Sequence, residues 1–165
     1  MRQSNEAGRA VVREFEGLRL AAYKCPAGVW TIGYGHTSGV QKGDVCDEPQ
    51  ADAWLVEDLG DAERAVSNLV SVPLTDNQFA ALVSFTFNLG AGALRGSTLR
   101  ELLNTGDYYS VPAQLARWTK ATDPTSGLKI TFPGLVRRRG AESALWKTNG
   151  NHGQKKETSH VASGS

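Results

Sequence analysis

The sequence predicts an α+β fold: a small N-terminal β-hairpin lobe followed by a larger helical C-terminal lobe. Three observations carry this expectation. Between Leu18 and His36, two runs rich in β-branched and aromatic residues flank Cys25-Pro26-Ala27-Gly28, as in a hairpin. From Glu48 to Trp146, apolar residues recur instead at helical spacing. The chain of 165 residues suits one domain or one domain with two lobes, and it is long enough to bury a core without staples.

Taken in order, the first helix is expected to be capped by Ser4 and to place Ala7, Ala10, Val11 and Phe15 on one stripe. Gly17 suits its C-terminus, so Glu16 stands where the helix hands over to the hairpin. Gly33 and Gly35 at the end of the second strand suggest a bend or a close backbone approach. A short third strand is expected over Gly39 to Val45. Pro49 fits the first turn of a long amphipathic helix reaching Val70, bent at Gly60. Thr75 and Gln78 form a capping-box pattern for a central helix through Leu89, broken by Gly90-Ala91-Gly92. Thr98 to Leu103 and Ser110 to Trp118 read as shorter helices, Thr122 to Pro133 as a loop, and Gly134 to Trp146 as the last helix. Residues 1–148 therefore form the expected domain, and 149–165 a flexible polar tail rich in Ser, Gly and Lys.

Composition narrows the function. A net charge of +1 lacks the basic excess of a nucleic-acid binder. Arg137, Arg138 and Arg139 form a cationic run, read first as a solvated helix face and second as a ligand-binding run. Two cysteines, Cys25 and Cys46, are too few for a disulfide framework; Cys46 reads as a free, partly exposed thiol, with a switching Cys25–Cys46 bridge as the alternative. No metal-ligand spacing occurs among His36, His152 and His160, so neither metal nor cofactor is expected. The N-terminal stretch lacks a long apolar run, which argues against a signal peptide or stable membrane insertion.

The chemistry is legible only when several motifs are taken together. Glu16-Gly17-Leu18-Arg19-Leu20, then Tyr23-Lys24, then Thr31-Ile32-Gly33-Tyr34-Gly35-His36 resembles the phage-type (T4-like) lysozyme and endolysin family. Pro73 to Phe85 is similar to that family's central helix, with Phe87-Asn88-Leu89-Gly90 after it. Gly134 to Arg139, with Glu142 and Trp146, is similar to its last motif. The similarity runs from about Ala7 to Trp146 and keeps order and spacing.

This resemblance implies a lysozyme-like fold and a muramidase, hydrolysing the β-1,4 bond between N-acetylmuramic acid and N-acetylglucosamine in peptidoglycan and causing host lysis. Such cleavage needs an acid for the leaving oxygen and a second group that activates or stabilises attack. Glu16 falls on the family's general acid and Thr31 on the hydroxyl that places water. Cys25 falls where better-known members carry Asp, although the family accepts either residue. A thiol is mostly protonated at neutral pH unless its environment lowers its pKa, so base, nucleophile and bystander all stay open for Cys25. Tyr34, Gly35, Phe87 and Asn88 fall on positions lining the sugar groove, with Phe87 as core the alternative. His36 reads as an imidazole paired with a carboxylate to tie the lobes. With no signal peptide read in the N-terminal stretch, the protein is expected to wait in the host cytoplasm until another factor, a holin, permeabilises the membrane, and then to work in the periplasm or wall, with monomer as the default state. A lytic transglycosylase and a catalytically silent wall-binding phage component are the alternatives.

Overall fold

The computed structural model describes residues 1–148. The expected polar tail lies outside the described residues. Helix α1 spans Glu6–Glu16 and is capped by Asn5, not Ser4: the Asn5 side chain accepts the Gly8 N–H at 2.9 Å. Ser4 is instead buried, with its N–H donated to the Glu63 carboxylate. The stripe is also rotated from the expected one. Gly8 and Val12 are the buried residues of α1, and Ala7 and Ala10 are exposed. Gly8 permits this, because a Cβ there would stand 2.5 Å from the Ala80 Cβ on the central helix.

Strands β1 (Arg19–Lys24) and β2 (Trp30–Gly33) form the expected antiparallel hairpin, with Tyr23 opposite Thr31 and Lys24 opposite Trp30. The expected strand over Gly39 to Val45 does not form. Two turns with left-handed glycines, Gly39 (φ 70°) and Gly43 (φ 89°), curl that segment. It meets β1 only at the Ala21–Val45 bridge, through Ala22 N–H to Asp44 O at 2.8 Å and Cys46 N–H to Leu20 O at 2.9 Å.

The long amphipathic segment is two helices, α2 (Glu48–Asp58) and α3 (Gly60–Leu69), meeting at Leu59 next to the glycine expected to bend it. Asp47 caps α2, and Pro49 sits in its first turn. Helix α4 (Asp76–Leu89) starts from the Thr75–Gln78 capping box, with both reciprocal bonds present. Every residue from Phe79 to Thr86 is buried, because α1, α3 and α8 all pack on α4. The break after α4 is confined to Gly90 (φ 92°); Ala91–Arg95 is already α5. Helices α6 (Thr98–Asn104), α7 (Val111–Leu115) and α8 (Pro133–Lys147) complete the helical part.

A second hairpin, β3 (Lys120–Thr122) and β4 (Lys129–Thr131), occupies part of the expected loop. Its turn is locally specified. The Asp123 carboxylate accepts the Thr125 N–H at 3.0 Å and the Ser126 hydroxyl at 2.9 Å, while Gly127 (φ 71°) donates its N–H to Asp123 O at 2.8 Å. Three-residue strands carry too little pattern to be recognised in the sequence.

Candidate active site

Glu16 is the last residue of α1. Gly17 adopts φ 74° and donates its N–H to Arg13 O at 3.0 Å, so the chain swings at once into β1. The Glu16 side chain is 25% exposed. Its Oε1 accepts from Arg138 Nη1 at 2.8 Å. Its other oxygen faces the bend after β2, where a Cβ built on Gly35 (φ 83°) would lie 3.5 Å from Oε2. A residue without a side chain at this left-handed position thus lets the hairpin backbone approach the carboxyl.

Behind Glu16 lies a buried ionic cluster. Arg138 (4% exposed) also donates to Ser84 O at 3.3 Å. Glu142, fully buried, accepts the Ser84 hydroxyl at 2.6 Å and Arg139 Nη2 at 3.1 Å. Arg139 Nε lies 2.7 Å from Glu142 Oε1 but is not aligned as a hydrogen bond, so that contact is a charge pair. Burial pushes the Glu142 carboxyl above its ordinary range, opposed by the two guanidiniums. Arg139 also donates to Asn88 Oδ1 at 2.8 Å and lies over the Phe85 ring. The expected solvated arginine face is therefore overturned: Arg137 alone of the three is exposed. Consecutive helical residues point about 100° apart, so three in a row cannot share one face. The missed signal is spacing: Arg138 and Arg139 stand four and three residues before Glu142.

The hairpin supplies the other groups. Cys25 opens the β1–β2 turn, donating its N–H to Val29 O at 2.9 Å and accepting the Gly28 N–H at 2.8 Å. Its thiol is lowered from the ordinary range, chiefly by the Val29 N–H, with the Ala27 N–H and the Thr31 hydroxyl adding to this. Thr31 is buried, and its hydroxyl also reaches Val29 O at 3.0 Å, so Cys25 and Thr31 share one hydrogen-bonded turn. Cys46 is half-buried and raised, first by burial and then by the Asp47 charge. Both cysteines are free. Because Cys46 pairs beside Leu20, at the far end of β1, roughly 15 Å of strand separates it from Cys25, beyond the ~7 Å reach of a disulfide.

Of the four groove residues, Gly35 meets Glu16 directly. Asn88 is half-buried and reaches the same cluster through Arg139, which engages only its carbonyl oxygen. Phe87 is partly buried against the core. Tyr34 departs from the expectation: it is only 7% exposed within the core, where a ring has little face left for a sugar. Burial, with Asp52 and Glu48 nearby on α2, raises its hydroxyl. His36 Nδ1 pairs with Asp58 Oδ2 at 2.7 Å and stacks on Trp54 at 4.5 Å, pinning the end of the hairpin to α2.

Among the described residues, no group of three or more His, Cys, Asp or Glu side chains is arranged to hold a metal, and no helix is long and apolar enough to cross a membrane. The family model for phage lysozyme matches residues 13–142. The chain belongs to the phage lysozyme family. As a phage lysozyme it is a glycoside hydrolase with a lysozyme-like α+β fold. It is 43% identical over 144 residues to the endolysin of Acyrthosiphon pisum secondary endosymbiont phage 1, covering 87% of this chain and 97% of that one. It is 39% identical to the endolysin of Bacillus phage B103, matching 94% of this chain but spanning only 58% of that longer protein. The muramidase domain of SpmX from Asticaccaulis excentricus superposes with a TM-score of 0.84 at 39% identity, covering 90% of this chain and all of that domain.

Proposed function

We propose that this phage lysozyme is an endolysin that hydrolyses the β-1,4 bond between N-acetylmuramic acid and N-acetylglucosamine in bacterial peptidoglycan, with Glu16 as the proton donor. One observation carries the assignment. The Glu16 carboxyl is oriented through Oε1 by a buried arginine, while Oε2 is directed at the hairpin backbone beside Gly35. A carboxyl fixed through one oxygen keeps the other aimed in one direction, as a general acid facing a leaving oxygen requires.

In this reading, Glu16 protonates the glycosidic oxygen as the bond to the anomeric carbon breaks. Water adds to that carbon, positioned by Thr31 and losing its proton to the Cys25 thiolate. Transfer of that proton through solvent back to Glu16 restores the starting state. The lowered pKa of the Cys25 thiol supports its role as base, because more thiolate is present near neutral pH than for an ordinary cysteine. The free amide nitrogen of Asn88 suits an N-acetyl group, and Gly35 leaves room for the sugar beside Glu16. The catalytic unit is residues 1–148, one domain of two lobes acting as a monomer. Access to the wall comes through a holin, so the protein waits in the host cytoplasm and acts in the periplasm or wall.

The test is mass spectrometry of purified peptidoglycan digested by the protein. Fragments that have gained one water and end in reducing N-acetylmuramic acid are expected. Anhydro-sugar ends would assign a lytic transglycosylase, and wall binding without fragments a silent binding component.

A further inference from the structure

The register of the second hairpin sets Lys120 opposite Thr131 and Thr122 opposite Lys129. Directly opposed residues, and residues two apart along a strand, share a face. Lys120, Thr122, Lys129 and Thr131 therefore form one face, and all four are exposed. Ala121 and Ile130 form the other face, and Ala121 is the one half-buried residue of the two strands. Among the described residues, neither lysine is ion-paired with a carboxylate. The nearby Asp123 carboxylate is occupied by the turn, which holds it below its ordinary range through the Thr125 N–H and the Ser126 hydroxyl. Lys120 and Lys129 stand diagonally across the ladder, with Cβ atoms about 7 Å apart.

Both ends of this hairpin are tied to the cluster behind Glu16. Before β3, Trp118 packs edge-on against Phe85 at 5.5 Å, and Phe85 lies under Arg139. After β4, Phe132 donates its N–H to Thr119 O at 2.9 Å and leads into α8. Arg138, the partner of Glu16, follows Phe132 by about 9 Å of helix. The hairpin is thus joined directly, through α8 and through Trp118 on Phe85, to the residues that hold Glu16.

We propose that the Lys120–Thr122–Lys129–Thr131 face docks the free carboxylates of the peptide stems of peptidoglycan, a role that rests on the muramidase reading above. Two ammonium groups and two hydroxyls, all donors and without partner carboxylates of their own, complement a short peptide bearing several carboxylates. Glycan and peptide are then read by different parts of the molecule, the sugar at Glu16 and the stem at β3–β4.

The test compares the wild type with Lys120→Gln/Lys129→Gln on intact peptidoglycan and on the same glycan stripped of its stems by an amidase. The expected result is a half-saturating concentration of intact wall raised roughly three- to tenfold, with unchanged maximal rate and melting temperature. On stripped glycan the two proteins should behave alike. Co-sedimentation of Glu16→Gln protein, with and without the lysine changes, measures binding to both walls without turnover. It separates failure of the docking surface from failure of the muramidase reading. Equal affinity of the two proteins for intact wall overturns the proposal, as does an equal loss on stripped glycan. A loss confined to phosphatidylglycerol vesicles also overturns it and assigns the face to membranes.

Discussion

Glu16 and Cys25 lie nine positions apart in the chain yet are held by contrasting means. Glu16 ends a helix, and its carboxyl is gripped by Arg138, which belongs to a buried cluster joining α4 and α8. Cys25 sits on a short turn, steered by the backbone N–H groups of Ala27 and Val29 and by one neighbouring hydroxyl. The Glu16 side is thus set by tertiary packing across 122 residues of chain, and the Cys25 side by local backbone geometry. Substitutions in the buried cluster that grips Glu16 should cost stability and activity together, whereas those on the Cys25 turn should cost activity alone.

The largest expected effect breaks the packed side. Glu142→Ala leaves the buried Arg139 guanidinium without its carboxylate and Arg138 with Glu16 alone, and should destabilise by about 3–5 kcal/mol in chemical denaturation. Glu142→Gln should lose less, because burial already favours the uncharged carboxyl there. Gly8→Ala drives a methyl group into Ala80, where α1 crosses α4, and should cost about 1–3 kcal/mol in the same assay.

On the turn side, Cys25→Ser should leave the unfolding free energy within about 0.5 kcal/mol of wild type while sharply lowering turnover. The pH profile sharpens this contrast. The Cys25 thiol is lowered, so thiolate accumulates at lower pH than for an unperturbed thiol. The rising limb of kcat/KM should therefore lie on the acid side of an ordinary thiol titration in the wild type and move further, toward the carboxylate range, in Cys25→Asp. A limb unmoved by this change would remove Cys25 from the proton path. The smallest effect belongs to Asn5→Ala, which removes the α1 cap and should lower stability by about 1 kcal/mol without changing the pH profile.

The same contrast explains what was legible in the sequence. The β1–β2 hairpin, the capping box of α4 and the Gly17 terminus all follow from local signals, and each was readable. What failed depended on distant partners. Ser4 lost the cap to Asn5 because its backbone is tied to Glu63 on α3, and the α1 stripe turned because Gly8 lets α4 approach. Arg138 and Arg139 read as a surface run because their partners, Glu16, Ser84 and Asn88, come from other helices. Tyr34 followed the groove in the family motif, but packing against α2 took its ring into the core. The β3–β4 hairpin was hidden by strands too short to show a period.

The most direct test of the central claim is turnover of purified peptidoglycan by Glu16→Gln, measured as release of reducing ends beside a thermal melt. Glutamine keeps the shape of the side chain and an oxygen for Arg138 but has no acidic proton to transfer to a leaving oxygen. A melting temperature close to that of the wild type, with turnover down by at least about a hundredfold, is the predicted result. Turnover near the wild-type rate in a folded Glu16→Gln protein would contradict the account.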